Sequence, residues 1–231
     1  NDEFFRDMNF ESGIAKVTIP FKEGINTVRA ETNSTSDDTI FNVKIIKDLK
    51  TDDFDVLAIN VGTDISFRDD VFGVTYLKDR SYTKNLFGYL PSSGKCKREP
   101  VPFNVSNTIN EAVYQTVLVD CNTYKVDIPD GKYKVTLYFI EPQLKNKTKV
   151  LFNLTDSKDD SKTDVMHRIF DVKLNDKTIV SQFNMAKAYA DKYGIAESSN
   201  INITNNIGLT IRLNAIIGET VLSGILIEKT D

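Results

Sequence analysis

The chain has no tryptophan, one histidine, two cysteines and three methionines in 231 residues. Each shortage excludes something. One histidine and two cysteines cannot assemble a zinc finger, an all-histidine metal site or a cysteine-rich scaffold. A serine–histidine–aspartate mechanism would have to rest on His167 alone. Basic excess is lacking too, with 29 Lys+Arg against 33 Asp+Glu and a formal net charge of -4. The isoelectric point of about 5.2 leaves no footprint for phosphate, so no nucleic-acid partner is expected. No apolar run reaches the roughly 18 residues of a membrane span. The best stretch, 221–227, has strand length. The first residues show no basic start followed by an apolar core, the pattern of a secretory leader. They read as mid-domain sequence, and the expectation is a segment of a longer chain.

What is present is enough apolar material for a core, at 40% of residues. The length corresponds to about one and a half typical domains. Periodicity is two rather than 3.6. Alternating or Val/Ile/Thr/Phe-rich runs fall at 14–19, 26–30, 39–46, 56–61, 113–119, 133–139, 168–174, 209–213 and 221–228. Short strands at regular spacing predict an all-β sandwich or barrel. Asp130–Gly131 reads as a tight turn between strands. The stretch 183–194, with Ala186, Ala188 and Ala190, is the one short helix expected. A charged linker lies near 47–55, and solvated polar loops lie at 145–149 and 156–164. About three strands in the first 48 residues are too few for a free-standing sandwich.

Several blocks recur in an order that carries a resemblance. They are Ala58-Ile59-Asn60-Val61-Gly62, Asp79-Arg80-Ser81-Tyr82-Thr83, Phe87-Gly88-Tyr89 and Val113-Tyr114-Gln115-Thr116. Then comes a hairpin at Pro129-Asp130-Gly131-Lys132-Tyr133 that leads into Leu137-Tyr138-Phe139-Ile140-Glu141-Pro142. Arg168-Ile169-Phe170-Asp171-Val172, Leu174-Asn175-Asp176 and the run 222–227 complete the set. Over residues 54–229 the chain resembles a malectin-like carbohydrate-binding domain, in the version that follows bacterial family 2 glycoside hydrolases of the β-galactosidase type. The Pro-x-x-x-Gly-x-Asn pattern across 20–26 resembles the end of the immunoglobulin-like domain that precedes it there. The resemblance implies a β-sandwich (malectin-like, jelly-roll, galactose-binding-like) at 49–231 and a partial immunoglobulin-like β region at 1–48. It implies a noncatalytic module that binds an oligosaccharide or polysaccharide beside an upstream catalytic domain, in the periplasm or outside the cell.

In malectin-like sites aromatic rings meet the apolar face of a pyranose and polar groups fix its hydroxyls. Here Val119 stands at one of those aromatic positions and Gln143 and Leu144 at two more, while Phe87 replaces an early tyrosine and Glu219 a late aspartate. The carbohydrate-binding candidates are therefore Phe87, Tyr89, Tyr82, Tyr76, Tyr114, Glu141 and Glu219. The bland counterparts are that the 76–89 aromatics pin their segment to the sandwich and that Tyr114 is a strand residue. Glu141 and Asp171 are acids at apolar strands. Asp171 is expected to make a structural hydrogen bond rather than to catalyse. Asp156, Asp159, Asp160 and Asp164 offer oxygens of the kind Ca²⁺ takes, without EF-hand spacing. The reading is a solvated loop and no cofactor, with a structural Ca²⁺ as the alternative. Cys96 and Cys121 can pair if geometry and compartment allow. The sequons at Asn33, Asn104, Asn146, Asn153 and Asn202 are read as incidental. The missing aromatics keep a rival in play, a domain that packs on its catalytic neighbour and binds no sugar. An independent enzyme is disfavoured by the sparse histidine and cysteine and by the absence of a nucleophile motif.

Overall fold

A computed structural model describes residues 10–11, 14–15, 24–31, 36–43, 49–50, 54–142, 168–185 and 192–230. The chain divides into two compact units, Asn1–Lys47 and Asp48–Asp231. In the first, β1 (Phe10–Glu11) pairs with β2 (Ile14–Ala15), and β3 (Gly24–Glu31) pairs with β4 (Ser36–Val43), both antiparallel. The alternation at 26–30 lies within β3, and that at 39–46 begins in β4.

The second unit is all-β. Its strands are β5 (Val56–Asn60), β6 (Phe67–Asp69), β7 (Val74–Lys78), β8 (Phe87–Tyr89), β9 (Gly94–Pro100), β10 (Thr116–Cys121) and β11 (Thr123–Val126). They continue as β12 (Gly131–Phe139), β13 (Ile169–Leu174), β14 (Lys177–Asn184), β15 (Ile195–Ile203), β16 (Leu209–Ile217), β17 (Val221–Leu222) and β18 (Gly224–Thr230). One sheet has the order β15-β12-β18-β5-β7-β6 and another β14-β13-β16-β11-β8, with a small sheet β17-β10-β9 beside them. Among the described strands only β5 and β7 pair in parallel. No helix of the described residues is long and apolar enough to cross a membrane.

Period two sorts the side chains. On β12, Tyr133, Val135, Leu137 and Phe139 are fully buried, and on β13 so are Phe170, Val172 and Leu174. These faces meet: Phe139 lies 6.0 Å from Phe170 and 5.1 Å from Phe183, ring centroid to centroid. That contact makes the two large sheets a sandwich. Each such side chain, withdrawn from water, contributes on the order of 2 kcal/mol.

Four expectations change in detail. Asp130–Gly131 does not close a hairpin, because β11 pairs with β16 and β8 while β12 pairs with β15 and β18. The chain there crosses from one sheet to the other. Val113 and Tyr114 belong to a 3-10 turn, Glu111–Tyr114, and the strand starts only at Thr116. The run 221–228 is two strands broken at Ser223, whose hydroxyl donates to the Val113 carbonyl at 3.0 Å. The expected helix at 183–194 begins as strand, since β14 runs to Asn184, and only Met185 is helical before residues 186–191, which lie outside the described residues. His167, the acidic loop 156–164, Gln143, Leu144 and the sequons Asn33, Asn146 and Asn153 also lie outside them.

Candidate functional site

The 79–90 segment is organised by a buried carboxylate. Asp79 accepts from the backbone N–H of Gly62 at 2.9 Å, the N–H of Arg80 at 2.8 Å and the Tyr124 hydroxyl at 2.8 Å. Burial raises its carboxyl above the ordinary value, and those three donors offset only part of the rise. Gly62, at φ +82°, brings its N–H to Asp79 in a left-handed conformation, and a Cβ there would collide with the Val117 backbone. The Ala-Ile-Asn-Val-Gly and Asp-Arg blocks are thus two halves of one structural contact.

The aromatics of this segment part company. Phe87 is 4% exposed and belongs to the core, with the Arg80 guanidinium 6.0 Å from its ring. Tyr82 is half-buried and donates to Asp127 Oδ2 at 2.7 Å, and the Asn85 N–H donates to the same oxygen at 2.7 Å. Burial, followed by that bond, pushes the Tyr82 phenol up to about 12. Tyr89 is half-buried in β8, opposite Tyr124.

Tyr76 and Tyr114 lie elsewhere, on the face of the six-stranded sheet turned away from the core. Tyr76 stacks on Phe67, with centroids 4.9 Å apart and planes 2° off parallel, and donates to the Tyr138 hydroxyl at 3.2 Å. Tyr114 meets Tyr138 edge-on at 5.7 Å. Gly224 allows the 3-10 turn to approach this face, because a Cβ there would overlap Val113. Burial pushes the Tyr76 and Tyr114 phenols far above their usual value. The sequence reading named neither Phe67 nor Tyr138 as a site residue, although Tyr138 lies in the alternating stretch 133–139, where its outward register was legible.

Glu141 and Glu219 converge on one cation. Arg168 is 2% exposed, and its Nε donates to Glu141 Oε2 at 3.1 Å and Oε1 at 3.3 Å. Its Nη1 donates to Glu219 Oε2 and to the Glu219 carbonyl, both at 3.4 Å. Lys97 reaches the other Glu219 oxygen at 3.6 Å. Val119 is fully buried and pairs with Lys97 and Val221. An ionic network and an aliphatic side chain therefore hold positions that the resemblance assigns to an aspartate and an aromatic. Removing Arg168 would take from both carboxylates their shared buried partner, with Lys97 left beside Glu219. Asp171 accepts from the Gln182 N–H at 2.8 Å and braces an irregular β13–β14 pairing, a structural role. Cys96 and Cys121 form a disulfide between β9 and β10. No group of three or more metal-ligating side chains occurs among the described residues.

The malectin-domain profile matches residues 55–228. Among solved structures, a Bacteroides uniformis β-glucuronidase superposes with a TM-score of 0.71 at 20% identity, covering 92% of this chain and 23% of that one. A calcium-binding mutant of B. uniformis β-glucuronidase 2 gives 0.71 at 19%, covering 93% and 24%. The plant assembly of RALF23 with FER and LLG2 gives 0.54 at 18%, covering 77% and 49%. The chain therefore spans less than a quarter of the first of these proteins. These identities speak for the fold. No curated protein matches the chain in sequence. With the sandwich, the block order and the profile in agreement over residues 55–228, the chain belongs to the malectin-domain family.

Proposed function

We propose that this chain is a carbohydrate-binding accessory module of a larger glycoside hydrolase. The observation that carries this reading is the malectin-domain match across residues 55–228, a binding fold rather than a catalytic one. The superposition on the bacterial β-glucuronidases supports the parent enzyme class, and it extends over 92% of this chain. In this reading residues 1–48 are the tail of an immunoglobulin-like domain and the catalytic domain lies upstream. The Cys96–Cys121 disulfide favours an oxidising compartment, the periplasm or the cell exterior. Affinity for a short glycan is on the order of 0.1–1 mM, because a solvated ligand offers few contacts. Attachment to the enzyme then raises the local concentration of catalyst on its polymer.

The ionic network at Arg168 favours a second reading, a domain that packs on its catalytic neighbour without sugar. Affinity electrophoresis of the chain through gels containing β-glucans, galactans and polyuronates separates the two. Retardation by any of them supports the module. Free migration through every gel supports the packing domain.

A further inference from the structure

The sheets of the second unit end in strands that differ in how they are protected. An end strand leaves the N–H and C=O groups of every second residue unpaired, a template for another strand. β6 and β8 are three residues long and β17 is two. β9 carries Lys95, Lys97, Arg98, Glu99 and Pro100, and its register with β10 breaks between Val119 and Cys121. β14 breaks register with β13 twice, and Gln182 within it stands at φ 49°. Among the described end strands of this unit β15 has none of these devices. It ends the six-stranded sheet, runs for nine residues and pairs with β12 in one unbroken register from Ile195 to Ile203. It holds no proline, lysine or arginine, and Glu197 is its single charge. Ala196, Ser198, Asn200 and Asn202 are exposed along it.

Two charged side chains at this edge complement each other across a two-fold axis. Lys177, at the start of β14 in the other large sheet, donates from Nζ to the Ser199 hydroxyl and to the Asn200 carbonyl, both at 3.1 Å. Ser199 and Glu197 lie opposite the buried Val135 and Leu137 of β12, so both point to the side of β15 that faces the other sheet, where Lys177 stands. Glu197 makes no ion pair among the described residues. Full antiparallel overlap of β15 with a second β15 is centred on Ser199. It sets Ile195 opposite Ile203, Glu197 opposite Ile201 and Ser198 opposite Asn200, so the one charge never meets its own image. The diagonal neighbour of Ser199 is then Glu197 of the partner subunit, about 7–8 Å away and within reach of a long side chain. Lys177, already held at Ser199, meets that carboxylate. By symmetry the contact occurs twice, and lysines and glutamates alternate about the axis.

We propose that two copies of this chain associate through β15, antiparallel about a two-fold axis at Ser199, with Lys177 of each copy paired to Glu197 of the other. The two six-stranded sheets become continuous, and the new ladder meets the backbone groups that the free edge leaves unpaired. The ladder supplies the contact, and the ion pairs select the register, since charges across an interface contribute more to specificity than to affinity. An isologous contact of this kind closes on itself and stops at two copies. The association goes beyond the carbohydrate-binding reading and does not depend on it.

Sedimentation equilibrium of the 231-residue chain over a range of concentrations tests it. The mass should rise with concentration from the 26.1 kDa of one chain to twice that value and no further. Lys177→Glu or Glu197→Lys alone sets like charges face to face at two places and should raise the dissociation constant of the dimer by about tenfold or more. The two substitutions together restore opposite charges and should restore the dimer. Lys177 is exposed and Glu197 half-buried, so neither change reaches the core, and circular dichroism separates loss of the dimer from loss of the fold. Asn200→Lys, at an exposed position midway along the edge, is a second way to weaken the pairing. A mass that stays at 26.1 kDa throughout, a dimer that survives both single reversals, or a double variant no tighter than the singles overturns the proposal.

Discussion

At the residue scale, burial pushes several tyrosines of the second unit up. Tyr82 is the most accessible to experiment. Its folded value of about 12 stands above the ordinary 10.0, first from burial and then from the bond to Asp127. The sign follows. Below pH 10 the phenol is neutral folded or unfolded, and its bond to Asp127 contributes fully. From about pH 10 to 12 the unfolded chain sheds a proton that the folded chain keeps, so this contribution is lost as pH rises. Tyr82→Phe should cost about 1–2 kcal/mol at pH 8. The gap between variant and wild type should narrow by pH 11, as read by urea midpoints at the two values. A gap that widens with pH would mean the hydroxyl is not bonded to a carboxylate. Candidate aromatics could be found in the sequence by residue type. Type alone could not separate buried Phe87 from half-buried Tyr82, because they are five positions apart on one winding segment whose path Asp79 and Asp127 set.

At the element scale, period two made β5, β10, β12, β13, β16, β17 and β18 legible, β12 and β13 above all, since both bury one full face, while β9, β11, β14 and β15 were not found. The short β6, β7 and β8 went unread. They are three to five residues long, too few for alternation to stand out, and they hold their places through Asp69, Asp79 and Asp127. The misread hairpin at Asp130–Gly131 has the same origin. A turn dipeptide states that the chain reverses, and strand pairing states in which sheet it lands. β9 and β10 carry the disulfide, at a sequence separation of 25. By the chain-entropy account, closing a loop of that size contributes roughly 3 kcal/mol. Replacing both cysteines by serine should lower the urea midpoint accordingly at unchanged slope. The same midpoint for oxidised wild type and double variant would show that the bridge does not form.

At the scale of the whole molecule, the unit Asp48–Asp231 contains a continuous apolar core of its own, running from Leu49 through Ile227. A fragment starting at Asp48 should therefore keep cooperative unfolding and the near-ultraviolet circular dichroism of its buried tyrosines. Loss of both on removing residues 1–47 would show that the first unit completes the second.

The sequence by itself determined the fold class and the order of the family's blocks. Those follow from composition, from the two-residue period and from blocks contiguous along the chain. Only the tertiary structure decided which candidates meet. Glu141 and Glu219 join through Arg168, 27 and 51 residues away respectively. Tyr76 and Tyr138 touch hydroxyl to hydroxyl across 62 residues, over a sheet face floored by Ala58 and Gly224. Asp69 keeps one oxygen unmet at the β6–β7 hairpin. Sheet register sets such encounters, and register depends on pairing between distant strands rather than on any local run of residues.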